Sequence, residues 1–243
     1  MPLGLGTNLS STGMITPGIV TSNLVLKHNY AGGGVVPVSD GAAFFDGTDD
    51  YIALGATFSH NVHSISTWIK VTADATNKFI FDARDGDDDG IVLYIDGDED
   101  IKYEVVSVMG HYNTPITAGW NHIAATNDGT TSRIYLNGIE VETADTSGVT
   151  VSTTTNAKIG TRSHSTVSNF FNGYMCNVGF WSGVLTQAQI KSIMWKNYAG
   201  LTDSEKTNLV SWWNLDTETN TSGEAGTGGV KDSEGTNHGE LKP

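Results

Sequence analysis

The chain has 243 residues, with 27 acidic against 13 basic side chains and a formal net charge of −14. Such a surface repels a phosphate backbone, which excludes nucleic acid as a partner. A single cysteine excludes an intrachain disulfide. No apolar run reaches the roughly 20 residues of a membrane-spanning helix, so no membrane partner is expected. The 29 glycines, with abundant Thr, Ser, Asn and Asp, point to a turn-rich all-β domain. A core of this size is stable without covalent staples.

Residues 1–42 read as an N-terminal arm and loop. Within them NLVLKH, residues 23–28, is a candidate strand, and Gly32, Gly33, Gly34 and Pro37 mark a loop. No Lys or Arg precedes Lys27 and no continuous apolar stretch follows the start, so no secretory leader is expected. Residues 43–54, AFFDGTDDYIAL, place two short apolar pieces around Asp46-Gly47, which predicts a hairpin turn. Residues 64–71, SISTWIKV, alternate with a period of two and predict a strand. Its Trp68 suits a sandwich core better than a sugar platform.

Residues 78–106 predict three strands, KFIFDA, GIVLYID and IKYEVV, joined by acidic turns. Residues 119–141 predict two more around Asp128-Gly129, with Asn137-Gly138 as a two-residue hairpin turn. KIGT at 158–161 is a further short strand. In residues 170–193, Tyr174, Cys176, Val178 and Phe180 alternate with Met175, Asn177, Gly179 and Trp181. Apolar residues in both sets predict a strand covered on both faces. Ser182-Gly183 ends it. A helix then opens at Thr186, with Gln189 placed for a capping box and Leu185 and Ile190 for a hydrophobic staple. The helix is expected to run through Ile193, Met194 and Trp195. Strands recurring every 8–15 residues between turn signals suit a sandwich or jelly roll.

Several of these landmarks carry a resemblance. Phe45, Asp46, Gly47, Asp49, Asp50, Tyr51 and Ile52 match one family motif. Gly119, Trp120, His122, Ile123 and Ala124 match a second, and Ile134, Tyr135, Leu136, Asn137 and Gly138 a third. Gly173, Met175, Val178, Phe180, Trp181, Leu185, Thr186 and Ile190 match the closing strand and short helix. Over residues 43–195 the chain resembles the laminin-G-like domains of the concanavalin A-like lectin/glucanase superfamily. The resemblance implies a jelly-roll sandwich of two antiparallel sheets with a short helix towards the C-terminus. Family members usually carry acidic residues where this chain has Cys176 and Asn177, so no metal role transfers to that strand. Residues 196–243 resemble the family's opening segment, through Leu209, Val210, Trp213, Leu215, Asp216, Asp232, Ser233, Gly235, His238, Gly239 and Leu241. In the family that segment comes first. Here it is expected to fold back and complete the same sandwich, with a truncated second repeat or donation to a neighbouring subunit as the alternatives.

Asp85, Asp87, Asp89 and Gly90 fit the start of a calcium-binding loop, and Asp96 falls at its twelfth position. An EF-hand does not fit. Residues 90–95 read as a strand, which at about 3.3 Å per residue puts Asp96 about 20 Å away, and no helices flank the loop. A hairpin-loop Ca²⁺ site remains one reading and a solvated acidic turn the other. Asp46 and Asp49 could add to a rim site, although turn formation explains them equally well. Asp96, Asp98, Glu99 and Asp100 form a second acidic turn. No E-x-D-x-E strand supplies the carboxylate pair of a retaining glycosidase, so no catalytic residue is assigned. His60 and His63 lack companions for zinc. Cys176 reads as an inert core thiol, and the glycine-rich run at 223–229 as a flexible loop.

The expected function is that of a non-catalytic structural or adhesion protein of a virus particle, in capsid decoration or a tail appendage. The setting comes from similarity to laminin-G-like proteins of marine tailed phages. It implies synthesis in a host cytoplasm without a signal peptide, other virion proteins and cell-surface glycans as partners, and a homo-oligomer, threefold in such proteins. Ca²⁺ is the one cofactor considered. A free bacterial carbohydrate-binding lectin module is the alternative, and a glycoside hydrolase the third reading. Residues 1–42, 43–195 and 196–243 form the expected divisions.

Overall fold

Period-two alternation becomes strand at most places where it occurs. A computed structural model describes residue 39 and residues 41–72, 76–86, 89–154, 156–163, 167–216 and 229–242, all within the unit Val36–Pro243. The candidate strand at 23–28, Asp87 and the glycine run at 223–228 lie outside the described residues.

In chain order the strands are β1 (Ala43–Asp46), β2 (Tyr51–Leu54), β3 (Val62–Val71), β4 (Lys78–Ala83), β5 (Ile91–Ile95), β6 (Ile101–Val105), β7 (Val108–Tyr112) and β8 (Asn121–Asp128). There follow β9 (Thr131–Leu136), β10 (Ile139–Asp145), β11 (Lys158–Ile159) and β12 (Asn172–Trp181). Helices α1 (Gln187–Ile193) and α2 (Asp203–Lys206) lead to β13 (Leu209–Trp213), β14 (Gly229–Val230) and β15 (Gly239–Lys242).

Two antiparallel sheets face each other as a concanavalin A-like jelly roll. A seven-stranded sheet runs β1-β12-β3-β8-β9-β10, with β13 also paired to β12. An eight-stranded sheet runs β14-β15-β2-β11-β4-β5-β6-β7. Inward positions of both sheets fill one core: Ile65, Ile69, Ile123, Ala125, Val178 and Phe180 meet Ile52, Phe81, Ile91, Leu93, Tyr103 and Ile159.

The turn at Asp46-Gly47 differs from its predicted form. It does not close a hairpin, because β1 pairs with β12 while β2 pairs with β11 and β15. The turn instead carries the chain from one sheet to the other. Gly47 takes the left-handed φ of +79°, Asp46 Oδ1 accepts from the Thr48 N–H, and the Asp46 N–H donates to Asp50 Oδ2. Its acidic residues thereby sit at the rim of the sandwich. At Asn137-Gly138 the predicted two-residue hairpin forms, with Leu136 opposite Ile139 and φ values of +51° and +78°.

Strand β12 is covered on both faces over most of its length. Val178 and Phe180 enter the core between the sheets. Trp181 points outward into a second apolar cluster with Tyr135, Leu185, Ile190, Ile193 and Trp212. Thr186 and Gln189 form the capping box, and Leu185 and Ile190 are buried together as a staple requires. The helix stops at Ile193, short of its expected end. The Met194 carbonyl accepts the Trp68 indole N–H at 2.7 Å, and the chain tightens into i+3 bonds there. Each buried indole has such an acceptor: Trp181 on Glu205 O, Trp212 on Asn214 Oδ1 and Trp213 on Asn237 O. Strand β13 pairs with the last residues of β12, and β15 pairs with all of β2.

Candidate functional site

The acidic residues singled out by sequence fall into three loops. Asp85 accepts from Thr153 Oγ1 at 3.0 Å and from the Thr154 N–H and Oγ1 at 2.8 and 2.6 Å. Asp89 accepts from the Asp85 and Gly86 N–H groups, both at 3.0 Å. These carboxylates close their own loop and tie it to residues 153–154. Asp87 lies outside the described residues. Asp46 and Asp49 come together with Asp50, their ligand oxygens within 4.8 Å of one another. In the third loop Asp96 and Asp100 converge with His111 to the same limit. Lys102 already places an ammonium 3.0 Å from Asp96.

The third loop borders a row of side chains on the outer face of the eight-stranded sheet. Phe79, Tyr94, Lys102 and His111 stand opposite one another across β4, β5, β6 and β7. The ring of half-buried Tyr94 lies on that of Phe79, 4.7 Å between centroids and 7° from parallel. Burial, helped by the charges of Glu104 and Asp96, pushes the Tyr94 hydroxyl above its ordinary range, so it stays protonated. Burial acts against the Asp96 carboxylate, but hydrogen bonds from Lys102 and from the Asp100 and Asp98 N–H groups hold it below its usual value. Burial and the neighbouring Asp96 charge raise Asp100. His111 Nε2 is 3.3 Å from Asp100, with its side chain 38% exposed. The row therefore offers one aromatic face flanked by both donors and acceptors.

A second polar line crosses the same face. Arg84 donates to both oxygens of Asp82, at 3.1 and 3.0 Å, and to Glu104 at 3.3 Å. Asp82 also accepts from the Ser163 N–H at 3.0 Å. One guanidinium thus neutralises both carboxylates that face outward here. Glu99 is paired to Lys78 at 3.1 Å.

The remaining candidates lie in the interior. His63 is stacked on Phe180, with Nδ1 2.7 Å from the His60 carbonyl and Nε2 on the Tyr103 hydroxyl. Burial pulls its pKa down to about 4. Neither His60 nor His63 joins a group of three metal-ligand side chains among the described residues. The Cys176 thiol is buried and pushed up to about 12 by that burial. Trp68 is buried, with its outer edge near Trp195. The sequence reading missed Tyr94, Lys102 and His111. The available signal was the outward set of GIVLYID and IKYEVV, where an aromatic and charged residues replace the apolar residues of a covered face.

No curated protein sequence matches the chain. Solved structures do resemble it in fold. A candidate carbohydrate-binding protein from Bacteroides ovatus is 19% identical with a TM-score of 0.65, the match covering 82% of this chain and 57% of that one. The chain therefore spans little more than half the length of that protein. A heptameric SAP-like pentraxin from Limulus polyphemus is 16% identical with a TM-score of 0.53, over 65% of this chain and 83% of that one. The CBM40 of Ruminococcus gnavus IT-sialidase, bound to α2,3-sialyllactose, is 15% identical with a TM-score of 0.53, over 63% of this chain and 96% of that one. At such identities the likeness is one of fold. Residues 46–191, more than half of the chain, match the model of the concanavalin A-like lectin/glucanases superfamily, and the protein belongs to that family.

Proposed function

We propose that the protein is a non-catalytic, glycan-contacting jelly-roll module whose contact face is the outer side of the eight-stranded sheet. The observation that carries the reading is the Tyr94 row. A half-buried ring backed by Phe79, between Lys102, His111, Asp96 and Glu104, offers a sugar an apolar face and hydrogen-bonding groups at once. Two structural neighbours are described as carbohydrate-binding or sugar-bound, which supports the class of ligand. The non-catalytic part is supported by Arg84, which ion-pairs both Asp82 and Glu104. A glycosidase needs one such group as a protonated acid. Binding of at least one glycan of an array by the full chain, lost in Tyr94→Ala, is the expected result. An array profile unchanged by Tyr94→Ala removes this face from the reading, and reducing ends released from β-glucans would make the protein an enzyme.

The finer setting we propose is a virus particle, where the module decorates a capsid or forms part of a tail appendage beside other virion proteins, as a homo-oligomer. It rests on the resemblance read from the sequence alone. Mass spectrometry of purified particles should then find the chain in stoichiometric amounts, and its absence there would remove the setting. For Ca²⁺ we propose Asp46, Asp49 and Asp50. Their convergent carboxylates suit a hard cation with water completing the shell, whereas Lys102 already neutralises Asp96. Added Ca²⁺ should raise the melting temperature and EDTA should reverse it. No change on either addition counts against the site.

A further inference from the structure

The outer face of the seven-stranded sheet is closed at one end by α1 and the tryptophan cluster and, among the described residues, open at the other. At the open end Phe44, Tyr174 and Lys70 stand in direct cross-strand register. Trp120 extends the line, since the next residues along, Ile69 and Asn121, are paired. Phe44 is 54% and Tyr174 39% exposed. Their ring centroids are 5.0 Å apart, Trp120 lies 6.4 Å from Tyr174, and the Lys70 ammonium is 5.7 Å from the Tyr174 ring. Adjacent large rings left in water are unusual at a surface with no partner.

Beside this line runs a polar one. Two residues along each strand, on the same face, come Asp46 and Asn172 in register, then Thr72, whose N–H donates to the Asn172 carbonyl at 2.9 Å. The Asn172 side chain lies against Gly47, where an added Cβ would meet it at 2.8 Å. Rings thus lie next to a carboxylate, an amide and a hydroxyl. With centroids 5.0 and 6.4 Å apart in succession, the ring line from Phe44 to Trp120 spans at most about 11 Å, enough for more than one sugar unit. At its Phe44 end it meets a cleft of about 340 Å³ lined also by Asp50, Tyr51, Leu241 and Lys242.

We infer that this line is a second carbohydrate platform, taking a neutral oligosaccharide laid across the strands. Ring faces accept the C–H surface of pyranose units. Lys70 donates to hydroxyls and Asp46, when it holds no cation, accepts from them, and their opposite charges then favour an uncharged chain over a uronate. A compact apolar ligand would need an enclosing pocket, which this flat line does not offer. The inference does not depend on the Tyr94 row.

The test is calorimetric titration of the full chain with cello-, xylo-, manno-, laminari- and chitohexaose, and with hexagalacturonate. At least one neutral hexasaccharide should bind about tenfold more weakly to Tyr174→Ala. It should bind undiminished to Tyr174→Phe and to Tyr94→Ala, and hexagalacturonate should bind no tighter. Tyr174 is exposed, so an unchanged thermal melt shows that the variants fold. Binding of every hexasaccharide at wild-type strength by Tyr174→Ala overturns the inference. So does a change in sedimentation alone, which would make the line a contact between two copies of the chain. Loss in Tyr94→Ala but not in Tyr174→Ala would leave the first face standing and remove this one.

Discussion

The two halves of β12 carry similar residues and meet opposite fates. In the first half Tyr174, paired to Phe44 of β1, shows its ring to water. In the second half Trp181, paired to Leu209 of β13, is fully buried under α1 and Trp212. Both point away from the core between the sheets. What separates them is whether a later part of the chain packs over them. The chain after Ser182 supplies a helix, a turn and β13 to cover one half, and the described residues place nothing comparable over the other. An outward aromatic is structural in the first case and available for a ligand in the second.

The largest test of that contrast is Trp181→Ala. Removing a fully buried indole, and its bond to the Glu205 carbonyl, should cost about 3–5 kcal/mol in urea unfolding. A loss below about 1 kcal/mol would mean that the covered half is not packed as described.

Next in size is Asp232→Ala, beneath the same covering. This buried carboxylate accepts from the Trp212, Glu234 and Asn237 N–H groups at 2.9 to 3.1 Å. Leaving those donors unmet should cost about 2–3 kcal/mol. Retention of wild-type stability would show that water replaces the carboxylate.

A pH series sharpens the comparison further. His63 stacks on Phe180 of the covered half, and His122 lies against Trp68 with Ser66 on its Nε2. Burial lowers their pKa values to about 4 and about 3, from 6.5 in an unfolded chain. Both are neutral when folded, and below pH 6.5 the unfolded chain binds more protons. Their contribution is fully present above pH 6.5 and is lost progressively as the pH falls towards 4 and then 3. The urea midpoint should therefore drop across that window, and less steeply in His63→Phe. A flat profile from pH 7 to pH 4 would contradict neutral burial.

The smallest stability effect belongs to the open half. Tyr174→Ala should cost less than about 1 kcal/mol, because the ring is already partly in water. A loss comparable with that of Trp181→Ala would erase the distinction between the halves.

Much of the architecture was legible because it is local. Alternation in SISTWIKV and in residues 172–181, the Asn137-Gly138 turn and the Thr186 capping box depend on residues within a few positions of one another. The turn at Asp46-Gly47 was misread as a hairpin. Its local chemistry is that of a tight turn, but the partner of each flanking strand lies more than 100 residues away, in β12, β11 and β15. The candidate site was less legible for the same reason. Tyr94, Lys102 and His111 form a row only when three strands align, and Arg84, clamped on Asp82, reaches Glu104 across 20 positions of chain.

By itself the sequence determined the all-β class, the strand spacing, the helix start and the family, since each rests on short-range pattern or motif. It also carried the acidic character that repels a phosphate backbone. Tertiary structure decided which outward residues are covered. Alternation alone would set Tyr174 and Trp181 on opposite faces; the register shift between Cys176 and Gly179 turns both outward, and the return of the chain through α1 and β13 buries one and leaves the other in water. It also decided which acids meet: Asp50 joins Asp46 and Asp49, and His111 joins Asp96 and Asp100, while Asp85 is taken by threonines near position 154. Burial and convergence depend on long-range packing, and a local pattern does not encode which distant segment arrives.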